Sequence, residues 1–200
     1  MTVISNLTVA ILAGGCSTRF GYPKMFAQYG HQTFIDYCLQ FGYKLSESVL
    51  VMIGNHPKSK FNNTRCFQDV YPHHGPLGGI YSALKYSPTE YIAIVPCDMP
   101  FLSPDIYQIL YQNRNTLRPL TVKVKNQIHP LVSLWPKALS RSIEYYFEHN
   151  NNCVCEALKN LEGLAVPIIA NEAMFLNMNT QNDYKTFKFR ASLHPYEFQL

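Results

Sequence analysis

A chain of 200 residues, 47% of them hydrophobic, is long enough for one domain with a proper core and too short for two large ones. Its formal charge of +4 is not gathered into runs, which gives nucleic-acid binding little footing and suits a protein that handles anionic small molecules. No apolar run approaches the ~18 to 20 residues of a membrane span, and the N-terminus lacks a basic segment before its short apolar stretch, so a cytoplasmic protein without membrane contact is expected. The six cysteines stand singly except for Cys153 and Cys155, and nothing suggests a disulfide framework.

Apolar β-rich runs followed by longer mixed segments recur along the first half. Strands are expected at residues 7–12, 48–53, 64–67 and 91–95, with helices at about 31–43, 76–86 and 103–113. Ser103, Pro104 and Asp105 give a hydroxyl cap, a first-position proline and an acid in the first turn. This alternation is that of a parallel sheet with ligand-binding loops at the carboxyl ends of its strands. The second half changes character. "PLTVKVKNQIHPLVSLW" alternates apolar and polar residues on both sides of Asn126-Gln127 and reads as a hairpin, with Lys123 and Lys125 on one face of a short strand. Then "KALSRSIEYYFEH" and "VCEALKNLEG" read as amphipathic helices, "LAVPII" as a strand and "NTQNDYKTFKF" as a capped terminal helix. The expected fold class is α/β: a single Rossmann-like nucleotide-binding domain over residues 1–200. Its central sheet is mostly parallel with an antiparallel element in the second half, and helices cover both faces.

The first strand releases into "LAGGCSTRFGYPK", Leu12 to Lys24, where two glycines, two hydroxyls, an Arg and a Lys fall within thirteen positions. Glycines let backbone N–H groups approach a ligand closely, and a guanidinium and an ammonium supply positive charge, so a phosphate chain is the natural guest. The segment is not a P-loop, since Tyr22 and Pro23 separate Gly21 from Lys24, nor a dinucleotide fingerprint, since no further G-x-x-G follows Gly14-Gly15. Asp98 follows "YIAIVPC" and so emerges at the carboxyl end of an apolar strand, where one or two carboxylate oxygens could hold a hard cation that bridges phosphates; a helix-preparing role with Ser103 is the plainer alternative. The glycines of residues 75–79 suit close backbone approach to a base or ribose, or simply a helix-start turn. The adjacent His73 and His74 point apart in extended backbone and do not read as a metal pair.

Five segments together resemble the molybdenum cofactor guanylyltransferases, the MobA family of nucleotidyltransferases: "LAGGCSTRFGYPK", "QDVYPHHGPLGGIYSAL", "IAIVPCDMPFLSP", "IHPLVSLW" and "FLNMNT", in the family's order across nearly the whole chain. Gly15 stands where the cytidylyl relatives usually carry Ala. The resemblance implies attack by the terminal phosphate of molybdenum-bound molybdopterin on the α-phosphorus of GTP, with magnesium as cofactor and pyrophosphate as leaving group. It implies GTP contacts at Leu12, Ala13, Gly14, Gly15, Lys24, Asp69, Gly78 and Asp98, with Asp98 as the magnesium ligand and Arg19, Lys24 and Asp98 as the catalytic set. In the second strand's loop the family tends to place a base-contacting Asn; here Gly54 holds that place and Asn55 comes one step later. Residues 1–105 would form the nucleotide half and residues 106–200 the molybdopterin half, with His129, Asn177 and Asn179 facing the pterin. GTP and the molybdenum-bound pterin are the expected partners, with transient contacts to other cofactor-biosynthesis proteins and client molybdoenzymes. The rivals are a cytidylyltransferase acting on molybdopterin or a sugar-alcohol phosphate, and a non-catalytic carrier of nucleotide or cofactor.

Overall fold

The computed structural model describes residues 2–15, 22–29, 31–58, 65–149, 151–178 and 183. Its spine is β1 (Leu7–Leu12), flanked by β4 (Ser48–Met52) on one side and β6 (Tyr91–Pro96) on the other, both parallel to it. All three are near-continuous apolar runs because both of their faces are covered. Side chains alternate between the faces: Val9, Ile11, Val49, Val51, Ala93 and Val95 join one buried cluster, and Ala10, Leu50, Met52, Ile92 and Ile94 join the other. Helix α1 (Phe34–Leu45) and α3 (Pro104–Gln112) contribute to the first cluster; α2 (Gly75–Tyr86), α4 (Ser140–Glu148) and α5 (Val154–Asn160) contribute to the second.

The seven strands run in the order β5-β4-β1-β6-β8-β7-β9, where β5 is Cys66–Phe67, β7 Leu120–Val124, β8 Gln127–Pro136 and β9 Leu164–Ile168. Strands β5, β4, β1 and β6 are parallel; β8 runs against both β6 and β7; β9 is parallel to β7. The expected mixed sheet with helices on both faces is thus the observed one. A separate small hairpin pairs β2 (Gln28–Tyr29) with β3 (Gln32–Thr33).

Two of the expected boundaries move for a local reason. Helix α1 starts at Phe34 rather than residue 31, because Gln32 and Thr33 belong to the hairpin and Thr33 forms a reciprocal cap with Asp36. The β7–β8 turn is Lys125-Asn126, one position earlier than expected. Lys125 has φ 51 in that turn and pairs with Glu172, so it does not share a strand face with Lys123. Strand β5 is Cys66–Phe67; residue 64 of the expected strand and the expected terminal helix, residues 179–189 apart from Asp183, lie outside the described residues. The start of α3 is as expected: Ser103 accepts from the Asp105 backbone N–H and Pro104 takes the first position.

What opens a cleft above this sheet is the way β1 and β4 end. The Ala13 N–H donates to Met52 O at 2.8 Å, and the chains then touch backbone to backbone: a Cβ on Gly14 would lie 2.7 Å from Gly54 N, and Gly54 has φ +55. Gly54 is therefore required twice, for its left-handed backbone and for the space it leaves. Gly54→Ala is expected to lower stability by about 2–4 kcal/mol, the sum of a left-handed Ala and an overpacked contact. Differential scanning fluorimetry should read this as a Tm lower by roughly 5–15 °C.

Candidate active site

A cleft of about 670 Å³ lies across the carboxyl ends of β1, β4 and β6, the usual ligand position in an open α/β sheet and a volume in the usual range for a small-molecule site. The end of β1 lines it with Leu12, Ala13, Gly14 and Gly15. Asp98 lines it from beyond β6 and Lys24 from the 3₁₀ turn Lys24–Phe26. Gly54, Asn55 and His56 close the β4 side, and Leu131 reaches in from β8.

Lys24 Nζ and Asp98 Oδ2 meet at 2.8 Å although 74 positions separate them. The meeting follows from the sheet. The Cys97 N–H donates to Leu12 O at 3.1 Å, extending the β1–β6 pairing by one step so that the next residue, Asp98, emerges at the cleft. On the other side, buried Met25 anchors the 3₁₀ turn, and the Ala27 N–H donates to Lys24 O at 2.9 Å. Asp98 is held from behind as well, its carbonyl accepting from the Met178 N–H at 2.9 Å. The two side chains are 19% and 20% exposed, so water screens the pair and it contributes little to stability. Its value is positional: one anionic and one cationic group stand ready at the mouth of the cleft.

The donor set suits magnesium of a particular kind. No cluster of three or more His, Cys, Asp or Glu side chains occurs among the described residues. A single carboxylate at a cleft that can admit phosphates is how magnesium is commonly held, with one or two protein oxygens and the remainder from substrate and water. Behind the cleft, a hydrogen bond to Cys97, together with burial, pushes the Cys38 thiol well above its ordinary range.

At the β4 side the chemistry changes from cationic to acceptor-rich. The Asp69 N–H donates to Gly54 O at 3.2 Å, and its carboxylate atom Oδ1 is buried without a hydrogen-bond partner among the described residues. Burial pushes the Asp69 carboxyl up to about 6, opposed by a hydrogen bond from the Gly54 backbone. An unsatisfied buried acceptor on a cleft wall is a place for a ligand's N–H or O–H. Beside it, Asn55 Nδ2 lies 3.3 Å from His73 Nε2, and His56 Nε2 lies 3.4 Å from the Gly15 carbonyl.

Of the residues singled out in the sequence, Leu12, Ala13, Gly14, Gly15, Lys24 and Asp98 converge on one cleft, and Asn55 and Asp69 join them. Gly78 stands elsewhere: a Cβ there would meet Tyr71 O at 3.0 Å and His74 Cβ at 3.2 Å, so it is the glycine that lets α2 pack on the preceding turn, while its neighbour Gly79 lines the cleft. His129 is buried in β8 with its ring 4.3 Å from that of Phe175, and burial pulls its pKa below the usual histidine value. Asn177 is exposed next to Met178 and does not line the cleft. Arg19 and Asn179 lie outside the described residues. His56, His73, Pro76 and Leu131 line the cleft without having been expected there.

Known proteins share the sequence pattern and the fold of this chain. Residues 9–164 match the family model for the MobA-like NTP transferase domain. A protein of Clostridium perfringens named "probable molybdenum cofactor guanylyltransferase" is 30% identical over 190 residues, covering 89% of this chain and 94% of its own. A protein of the same name from Carboxydothermus hydrogenoformans is 30% identical over 189 residues, covering 91% and 95%. Among solved structures, molybdopterin-guanine dinucleotide biosynthesis protein A from Archaeoglobus fulgidus superposes with a TM-score of 0.80 at 20% identity, covering 92% of this chain and 98% of its own, which shows the shared fold. The chain therefore belongs to the MobA-like NTP transferase domain family and is a nucleotidyltransferase.

Proposed function

We propose that the protein transfers GMP from GTP to the terminal phosphate of molybdenum-bound molybdopterin, giving the guanine dinucleotide cofactor and pyrophosphate. The observation that carries the reading is the meeting of Lys24 and Asp98 at 2.8 Å in the cleft that Gly14 and Gly15 also line, within a family whose relatives bear the guanylyltransferase name. Transfer of this kind needs no covalent protein nucleophile; it depends on alignment and on neutralising charge as the pyrophosphate departs. The backbone of Gly14 and Gly15 would cradle the triphosphate, with Lys24 turning from Asp98 to the phosphate oxygens. Asp98 would hold the magnesium ion, which when bound neutralises phosphate charge and orients the chain. Arg19 is assigned to the same charge from its sequence position alone.

Asp69, with its unpaired acceptor, would receive a donor from the base or ribose. Residues 1–105 form the nucleotide half of this reading and residues 106–200 the pterin half, with Leu131 as the point where the second half reaches the cleft. Asn177 remains the candidate pterin contact of that half, next to the residue whose N–H holds the Asp98 carbonyl. The burial of His129 against Phe175 gives it a supporting place beneath that surface.

Release of pyrophosphate from GTP, in the presence of magnesium and the molybdenum-bound pterin, tests the reading. Lys24→Ala should lower turnover by roughly 10²- to 10³-fold, the loss seen when one preorganised electrostatic group is removed. Its Tm should stay within about 3 °C of wild type, because a screened, partly exposed ion pair is worth little. Turnover within a factor of about three of wild type would remove Lys24 from the chemistry, since the loss expected for such a group is far larger.

The raised carboxyl of Asp69 gives a second prediction. It titrates near 6 in the folded protein against an ordinary value of 3.8, so the folded state binds this proton more tightly than the unfolded state does. Its stabilising contribution is then complete below pH 3.8 and lost as the pH rises through about 6. Relative to Asp69→Asn, ligand-free wild type should lose roughly 2–3 kcal/mol of stability between pH 4 and pH 8, as read by urea denaturation. A stability difference that does not change across that interval would contradict the burial of this carboxyl.

A further inference from the structure

Asn55 and His73 stand 18 positions apart in the chain, and both line the cleft. Their contact has a definite sense. A carboxamide nitrogen has hydrogens to give and no lone pair to offer, so Asn55 Nδ2 donates and His73 Nε2 accepts, with the ring proton on Nδ1. That sets which way round the Asn55 carboxamide lies: its oxygen and its second N–H are left for an occupant of the cleft. Both partners are held by their backbones. Asn55 follows Gly54, which is wedged against Gly14, and His73 has φ 69 in the turn that leads into Gly75, itself at φ +56.

The pair's place on the sheet gives this orientation a meaning, which rests on the proposed function. The strand order β4-β1-β6 puts Asn55 on the β4 side of the cleft and Asp98 beyond β6, with Gly14 and Gly15 at the end of β1 between. A nucleotide whose triphosphate lies toward Lys24 and Asp98 carries its base toward Asn55, His73 and Asp69. Two acceptors are available there, the Asn55 carboxamide oxygen and the unpaired Asp69 Oδ1. Guanine presents two neighbouring donors on its Watson–Crick edge, N1–H and N2–H. Adenine and cytosine each present one amino group beside a ring-nitrogen acceptor, which would face an acceptor of the protein.

We propose that His73 is a positioning residue for base selection: by accepting from Asn55 Nδ2 it holds the Asn55 carboxamide oxygen toward the base and biases the cleft to guanine over adenine and cytosine. His73 touches neither phosphate nor metal in this scheme. It acts through Asn55, and its loss weakens discrimination while leaving the triphosphate contacts in place.

The test is a double-mutant cycle on nucleotide binding, read by isothermal titration calorimetry with GTP, ATP and CTP in the presence of magnesium. His73→Gly removes the ring and suits the positive φ; Asn55→Ala removes the carboxamide; His73→Gln restores a side-chain acceptor. Each of the first two should reduce the preference for GTP over ATP by roughly five- to tenfold, the worth of one oriented hydrogen bond. The double variant should lose no more than the larger single loss, and His73→Gln should recover most of the preference. In turnover, His73→Gly should raise the KM for GTP with little change in kcat. A wild-type preference for GTP that survives His73→Gly unchanged, or single losses that simply add in the double variant, overturns the assignment of His73 alone. A wild-type protein that binds none of the three nucleotides, or shows no preference for GTP, overturns the guanylyl reading and this proposal with it.

Discussion

An ammonium and a carboxylate 2.8 Å apart, drawn from positions 24 and 98, set the terms for the rest of the site. They meet because β6 lies directly beside β1 and the 3₁₀ turn Lys24–Phe26 borders the same cleft as the strand ends. The pair is wet enough to exchange partners cheaply, since each side chain keeps about a fifth of its surface in water. A deeply buried pair would resist opening, because separating it would leave an uncompensated charge. A fully exposed one would leave its members unplaced. This intermediate condition lets one contact keep both groups in position without a ligand and release each to a ligand of opposite charge.

The opposite side of the cleft follows a different logic. Asp69 is held in a place that disfavours its charged form, with one oxygen unpaired, and the close packing of Gly14 on Gly54 excludes any side chain between β1 and β4. The burial of the Asp69 carboxyl and its unpaired oxygen cost stability, and they make sense where a ligand supplies the missing partner. The core beneath offsets these costs. Strands β1, β4 and β6 bury both of their faces, and the fully buried Trp135 and Tyr81 fill the layer under α2 and α4. The cleft is thus polar along its rim, above a floor that is apolar and closely packed.

How much of this was legible in the sequence depended on the range of the forces involved. Strands β1 and β6 were readable because burial on both faces makes them nearly unbroken apolar runs, and the start of α3 because its cap is written in three consecutive residues. The start of α1 carries a signal in the sequence, the capping spacing of Thr33 and Asp36, which places it at Phe34 rather than at residue 31. Gly78 and Gly79 could not be told apart in sequence, since only the helix phase decides which faces the cleft and which faces Tyr71. His129 was placed toward the pterin by resemblance alone; it packs against Phe175, 46 positions later, a contact with no local signature. The Asn55–His73 contact had no local signature, since it depends on how the loop after β4 lies beside the loop after β5.

The proposed transfer turns on one atom, the α-phosphorus of GTP. In a single-turnover reaction of the wild-type protein with magnesium, molybdenum-bound molybdopterin and GTP labelled at that phosphorus, the label should appear in a pterin–guanine dinucleotide, with unlabelled pyrophosphate released in equal amount. Label recovered only as unchanged GTP or as free GMP, or a cytidine dinucleotide formed in preference when labelled CTP competes, would contradict it.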